Sequence, residues 1–175
     1  TSTATSSGRV HYKTKLGPVG ISELSEDGTE INGYAISKKQ IADGTLPILY
    51  MAGRSNGIFG YPTAPGTSTT NNNDFLSYDY IYTDKGRYVI FNDLPKNSDK
   101  DEDEERRKAV AYVSKTNTMC YKLGDPKIEK FFLFGEPAND DKSVFSYIAS
   151  SDFNKDINTY ATMIVERDGR DKNAK

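Results

Sequence analysis

Apolar residues in this chain recur in short runs broken by Gly, Asn, Asp and Lys, and in several runs they alternate with polar ones. A period of two puts successive side chains on opposite faces of a strand, whereas an amphipathic helix needs a period near 3.6. The clearest pair of runs is "YDYIYT" and "RYVIFN", joined by Asp84-Lys85-Gly86. A three-residue connection with Gly last is the chemistry of a bulged hairpin. In the first run Tyr78, Tyr80 and Tyr82 share one face, and Asp79, Ile81 and Thr83 share the other. Tyr88 to Phe91 is apolar on both faces, which predicts a central strand.

The same signals extend along the chain. "AVAYVS" and "TMCYKL", flanking Lys115-Thr116-Asn117, predict a second hairpin. "KFFLFGE", "SVFSYIAS" and "TYATMIVE" predict three further strands. Upstream, "VHYKTK" and "VGISELS" precede a turn at Glu26-Asp27-Gly28, and "INGYAISK", "LPILYMAG" and "NGIFGYP" follow it. The stretch 63–74 is a Thr/Asn/Gly/Pro loop too polar to pack, and the only place for a helical turn is 101–112, whose apolar residues come at its end. Residues 1–8 read as a disordered polar tail and 9–175 as one all-β domain. The expected fold is an antiparallel meander of about eight to ten strands, either a partial propeller-like array or a barrel or sandwich. Asp168-Gly169 reads as a hairpin turn with no strand behind it, so either the tail is frayed or the chain is a fragment of a longer one, the second being the favoured expectation.

Composition narrows the function classes. The 175 residues, 35% hydrophobic, suffice for one domain with a core. A net charge of -2 gives no global attraction to nucleic acid or to an anionic membrane, and the aromatics are not interleaved with a basic stripe. No run is long enough for a membrane-spanning helix. Twelve Tyr and no Trp favour strands and wet surfaces. One His and one Cys cannot make a zinc site of the usual type, and a catalytic triad would have to use His11, near the tail. Cys120 lies mid-strand, where a thiol packs as a small apolar group. The glycines of "GPVG" and "GRSNGIFG" lack the Lys-Ser/Thr ending of a phosphate loop.

Four groups of residues remain as candidates. Asp99, Asp101 and Asp103 alternate as in a calcium loop, but Glu104 stands where that loop needs Gly and Val110 where it needs Glu. Arg106, Arg107 and Lys108 follow and can neutralise the block. Asp152, Asn154 and Asp156 have the same spacing and lack the same Gly; they mark either a calcium site or a turn closed by Asx side chains. Tyr78, Tyr80 and Tyr82 form either a stacking platform for a glycan or protein partner, or half core and half edge. Asn92, Asp93 and Asn97 end the central strand, either as a binding site or by bonding to their own turn.

Three stretches carry a resemblance: "ISELSEDGTEINGYAISKKQ", "YDYIYTDKGRYVIFNDLPKN" and "TYATMIVERDGRDKNAK". Together they resemble secreted or envelope proteins of Bacteroidetes, built of antiparallel strands in a propeller-like array. The resemblance covers about half of the chain, rests on structural motifs of low specificity, and falls on Asn92, Asp93 and Asn97. It implies a periplasmic or cell-surface location and an all-β fold, and it brings no activity. The reading is a non-enzymatic binding or structural protein of the cell envelope, with a glycan or protein partner. Its alternatives are a carbohydrate-active enzyme using paired carboxylates and a β-barrel carrier of a small apolar ligand.

Overall fold

The computed structural model describes residues 2–4, 10–43, 72–98, 106–124, 127–137 and 142–167. "LPILYMAG", "NGIFGYP", most of the polar loop, the acidic block from Asp99 to Glu105 and Asp168-Gly169 lie outside the described residues. The strands in chain order are β1 (Ser2–Ala4), β2 (Val10–Leu16), β3 (Val19–Leu24), β4 (Glu30–Ile36), β5 (Gln40–Asp43), β6 (Asp79–Thr83), β7 (Gly86–Asp93), β8 (Asn117–Leu123), β9 (Glu129–Phe132), β10 (Ser143–Ser146), β11 (Asp152–Asn154), β12 (Thr159–Ala161) and β13 (Ile164–Arg167). All their pairings are antiparallel. The class is all-β, with more and shorter strands than expected, and no α-helix among the described residues. No sheet formed by them closes into a barrel.

The centre is a four-stranded meander in the order β6-β7-β8-β9. Two hairpins cover its two faces. On one face Val89, Phe91, Met119, Tyr121 and Leu123 pack with Val19 and Ile36 of the β3/β4 hairpin. The rings of Phe91 and Tyr121 stack there, 5.0 Å apart and 5° from parallel. On the other face Ile81, Ile90 and Cys120 pack with Phe153 and Tyr160 of the β11/β12 hairpin. The Tyr160 hydroxyl donates to Asp79 Oδ2 at 2.8 Å. Apolarity on both faces of Tyr88 to Phe91 therefore marked the central strand correctly. Each fully buried Val or Phe there contributes about 1.5–3 kcal/mol through removal from water. A third apolar cluster, with Ala42, Leu76, Leu94, Val110, Val113 and Phe145, lies where β5 and β10 approach the sheet.

The turns follow local chemistry. In the β3/β4 turn Gly28 takes φ +86, a left-handed value that Gly adopts without steric cost. Asp27 Oδ1 accepts from the Thr29 N–H at 3.0 Å and from the Ser25 hydroxyl, and these bonds lower its carboxyl to about 2. The β6/β7 loop is Asp84-Lys85, one residue shorter than expected, because Gly86 pairs with Thr83 as the first residue of β7.

Several expectations differ from the structure. "AVAYVS" is not a strand: Val110 makes one isolated bridge to Gln40, and Val113–Lys115 is a 3-10 turn. Val110 and Val113 enter the same apolar cluster, Val110 from its bridge to Gln40 and Val113 as the first residue of the 3-10 turn. The strand partner of β8 on that side is β7 itself. "SVFSYIAS" leaves the strand after Ser146 for a 3-10 turn, Ile148–Ser150. "TYATMIVE" breaks at Thr162-Met163 into β12, which pairs with β11, and β13, which pairs with β10. Ser2–Ala4, within the expected tail, pairs with β2 through its backbone, an interaction that needs no apolar side chains.

Candidate functional site

The asparagines and aspartate that end β7 lie in a buried polar knot rather than on a surface. Asn92 Nδ2 donates to the Phe75 and Ser146 carbonyls at 2.9 and 2.7 Å. Its Oδ1 accepts from the Thr118 hydroxyl at 2.8 Å and the Ser146 N–H at 3.2 Å. Two donors and two acceptor positions are all filled, so the amide welds β7, β8, β10 and the segment before β6. The expected bond of Asn92 to its own turn is absent. Its partners are 17, 26 and 54 residues away.

Asp93 does what the strand-ending reading requires, and more. Its Oδ1 accepts from the Leu94 N–H at 2.8 Å and from Asn97 Nδ2 at 2.7 Å. Its Oδ2 is paired with the Arg107 guanidinium, also buried. Asn97 in turn donates to the Lys108 carbonyl at 2.9 Å and accepts the Lys108 N–H at 3.0 Å. Arg107, grouped by sequence with the residues that would screen the acidic block, turns inward instead. Burial raises the Asp93 carboxyl, while Arg107, Asn97 and the Leu94 N–H act against that.

Two further buried residues join the knot without a signal in the chain beyond "KKQ". Gln40 donates to the Asn92 carbonyl at 2.9 Å and accepts from Lys38 Nζ at 3.1 Å and from the Ser77 N–H at 3.0 Å. Ser77 presents that N–H from a left-handed backbone, φ +83, a sparsely populated conformation for a residue with a Cβ. Burial pushes Lys38 down to about 8, against the pull of Asp93. The thiol of Cys120 is pushed up to about 12 by burial, so it is a packed apolar group and not a nucleophile.

The tyrosines behave differently from one another. Tyr78 precedes β6 and packs against the Val89/Phe91 core. Tyr80 and Tyr82 are on that same face but further out, 45% and 55% exposed. The register pairs Tyr80 with Val89 and Tyr82 with Arg87. The covering hairpin follows the same gradient: Val19 pairs with Ile36 in the core, Ile21 with Tyr34 at its margin, and Glu23 with Asn32 at the rim. At that rim Glu23 pairs with Arg87 and accepts from Asn32 Nδ2 at 3.2 Å. The Arg87 guanidinium lies 5.8 Å from the centre of the Tyr34 ring, within cation–π range. Lys155 approaches Tyr82 at the same distance. The Arg87 and Asn32 hydrogen bonds hold the Glu23 carboxyl below the usual range, while partial burial raises the Tyr80 phenol. Tyr34, Glu23, Asn32 and Arg87 were not singled out by sequence, because they meet only when the hairpin folds over the sheet.

Asp152, Asn154 and Asp156 lie at the β11/β12 hairpin. Asn154 Oδ1 accepts from the Asp156 N–H at 3.0 Å and from Ile157 N–H at 3.3 Å, and Asp152 Oδ1 accepts from Phe153 N–H at 2.9 Å. The two Asn154 bonds are turn-closing bonds of the Asx type. Among the described residues no three His, Cys, Asp or Glu side chains gather where they could hold a metal ion. Asp99, Asp101 and Asp103 lie outside the described residues. No helix of the described residues is long and apolar enough to cross a membrane. No family model, curated protein or solved structure matches the chain.

Proposed function

We propose that this is a non-enzymatic binding protein of the cell envelope, and that its contact surface is the exposed pair Tyr80 and Tyr82 with the half-buried Tyr34, Arg87, Glu23 and Asn32 beside them. The observation that carries the reading is the outward exposure of two tyrosines beside a fixed ion pair. Tyr offers a large contact area with few torsions to freeze, so it binds at low entropic cost. The envelope location rests on the resemblance to Bacteroidetes proteins. The four-stranded meander has the strand number of a propeller blade, which supports a propeller-like array.

The paired-carboxylate enzyme is less well supported at this rim. A general acid needs a raised pKa so that it holds its proton near neutral pH. Glu23 is held in the opposite direction by Arg87. The barrel carrier lacks its closed barrel among the described strands.

Cosedimentation of the full chain with isolated Bacteroidetes envelopes tests the proposal. Wild type should pellet with them, and the Tyr80→Ser/Tyr82→Ser double variant should bind at least tenfold less while keeping its circular dichroism spectrum. Equal pelleting of the two proteins, or of neither, defeats the reading.

A further inference from the structure

We infer that the ligand of this rim is an uncharged glycan, whose ring faces lie on Tyr80 and Tyr82 and whose hydroxyls are read by Glu23 and Arg87. The inference rests on the proposed binding role of the same surface. Its first support is shape. Tyr80 and Tyr82 are two residues apart on one strand face, so their attachment points are about 6.5–7 Å apart. They form a short exposed strip rather than a pocket, which suits an extended chain of rings.

The second support is the polar rim. A protein partner gains most where apolar anchors are fully desolvated. Here the tyrosines adjoin a carboxylate, a guanidinium and an amide, which a protein surface would have to strip of water. Sugar hydroxyls replace water on such groups one for one, because each hydroxyl both donates and accepts. The groups are already positioned: Glu23 is held by Arg87 and Asn32, and Arg87 by Glu23 and the Tyr34 ring. A carboxylate offers about four lone-pair sites and a guanidinium five N–H donors, more than these contacts use. A ligand therefore meets a ready donor and a ready acceptor without new ordering cost.

The third support is charge. Glu23 and Arg87 cancel each other, so the pair offers no net positive charge for a carboxylate or phosphate ligand. Breaking the pair to free Arg87 for an anion would cost the carboxylate its guanidinium. Lys155, 5.8 Å from the Tyr82 ring, is the competing cation that an acidic glycan would need, and acidic gels probe it.

The test takes envelopes to which the full chain binds and treats them with either proteinase K or periodate. Binding should survive proteolysis and be lost after periodate, which cleaves vicinal diols. In native gels containing neutral polysaccharides (a β-glucan, a galactomannan or a dextran), wild type should be retarded by at least one. Alginate and polygalacturonate should retard it no more than an empty gel. Tyr82→Ala should weaken the retardation at least tenfold. Arg87→Lys, which keeps the charge and loses the planar fork, should weaken it several-fold. Binding lost on proteolysis, or resistant to both treatments, overturns the glycan and leaves the binding surface standing. Stronger retardation by the acidic gels, or rescue by Arg87→Lys, overturns the hydroxyl-reading role. Absence of any envelope binding removes the binding role itself.

Discussion

Among the described residues two acid–arginine pairs sit in opposite circumstances. Asp93 and Arg107 are buried, each side chain 2% exposed, with both carboxylate oxygens engaged. Glu23 and Arg87 are partly open to water at the margin of the same sheet. The first pair is locked to backbone groups of the β7 end and the segment beyond it. Among the described residues the second is bonded to side chains of its own rim. A charge pair enclosed in protein fixes structure, because removing either partner strands the other in a low dielectric. A pair left at the rim has little hold on stability and keeps capacity for an external partner.

The sharpest way to break this comparison is at Asp93. Asp93→Ala leaves Arg107 without its carboxylate, and urea unfolding should show a loss of about 3–5 kcal/mol. If the variant does not fold, Asp93→Leu combined with Arg107→Met should restore a cooperative transition, since replacing both partners removes the stranded charge. A loss as small as that of a surface substitution would mean that the two pairs are equivalent after all.

Lys38 gives a smaller effect with a pH signature. Its folded-state value of about 8 lies below the ordinary 10.5, so the unfolded chain binds its proton more tightly. Stability therefore falls as pH drops from about 10.5 to about 8 and stays low beneath that. Lys38→Met should be more stable than wild type at pH 7 by up to about 3 kcal/mol, less the value of the bond to Gln40. The advantage should shrink as pH rises toward 10. The difference between the two proteins isolates Lys38, because Cys120 and Tyr121, both pushed up to about 12, are common to them. An advantage that does not change with pH would contradict a charged, buried Lys38.

The smallest effect is expected at the other pair. Glu23→Gln should leave the urea midpoint within experimental error. Its lowered carboxyl favours the folded state only above the unfolded value and loses that as pH falls, a contribution screened by solvent and salt. A marked drop in the midpoint would make the rim pair structural.

Much of the sheet was legible because its information is local. The alternation in "YDYIYT", the turn residues after it and the doubly apolar Tyr88 to Phe91 specify a hairpin with a central second strand, whatever the rest of the chain does. The β3/β4 hairpin was legible for the same reason. "AVAYVS" misled because its β-branched residues favour a strand, whereas here Val110 and Val113 are buried in one apolar cluster and the chain turns at Val113. Tyr78 was placed with Tyr80 and Tyr82 by period alone. The left-handed turn at Ser77, which brings the chain into β6, carries no sequence mark. Asp93 was half legible: its bonds to Leu94 and Asn97 are local, but Arg107 comes from 14 residues on. Asn92 was not legible, since every bond of its side chain crosses the fold.

Gln40 has a consequence for how the protein comes apart. One amide side chain is hydrogen-bonded to residues 37 and 52 positions along the chain, and its own strand belongs to the N-terminal sheet. Its carbonyl and amide are satisfied together only when β5, the Ser77 turn and the end of β7 have all assembled. Two sheets that share no strand are thereby made into one cooperative unit. Opening either sheet at Gln40 exposes polar groups of the other, so hydrogen exchange should find one opening free energy for the slowest amides of both.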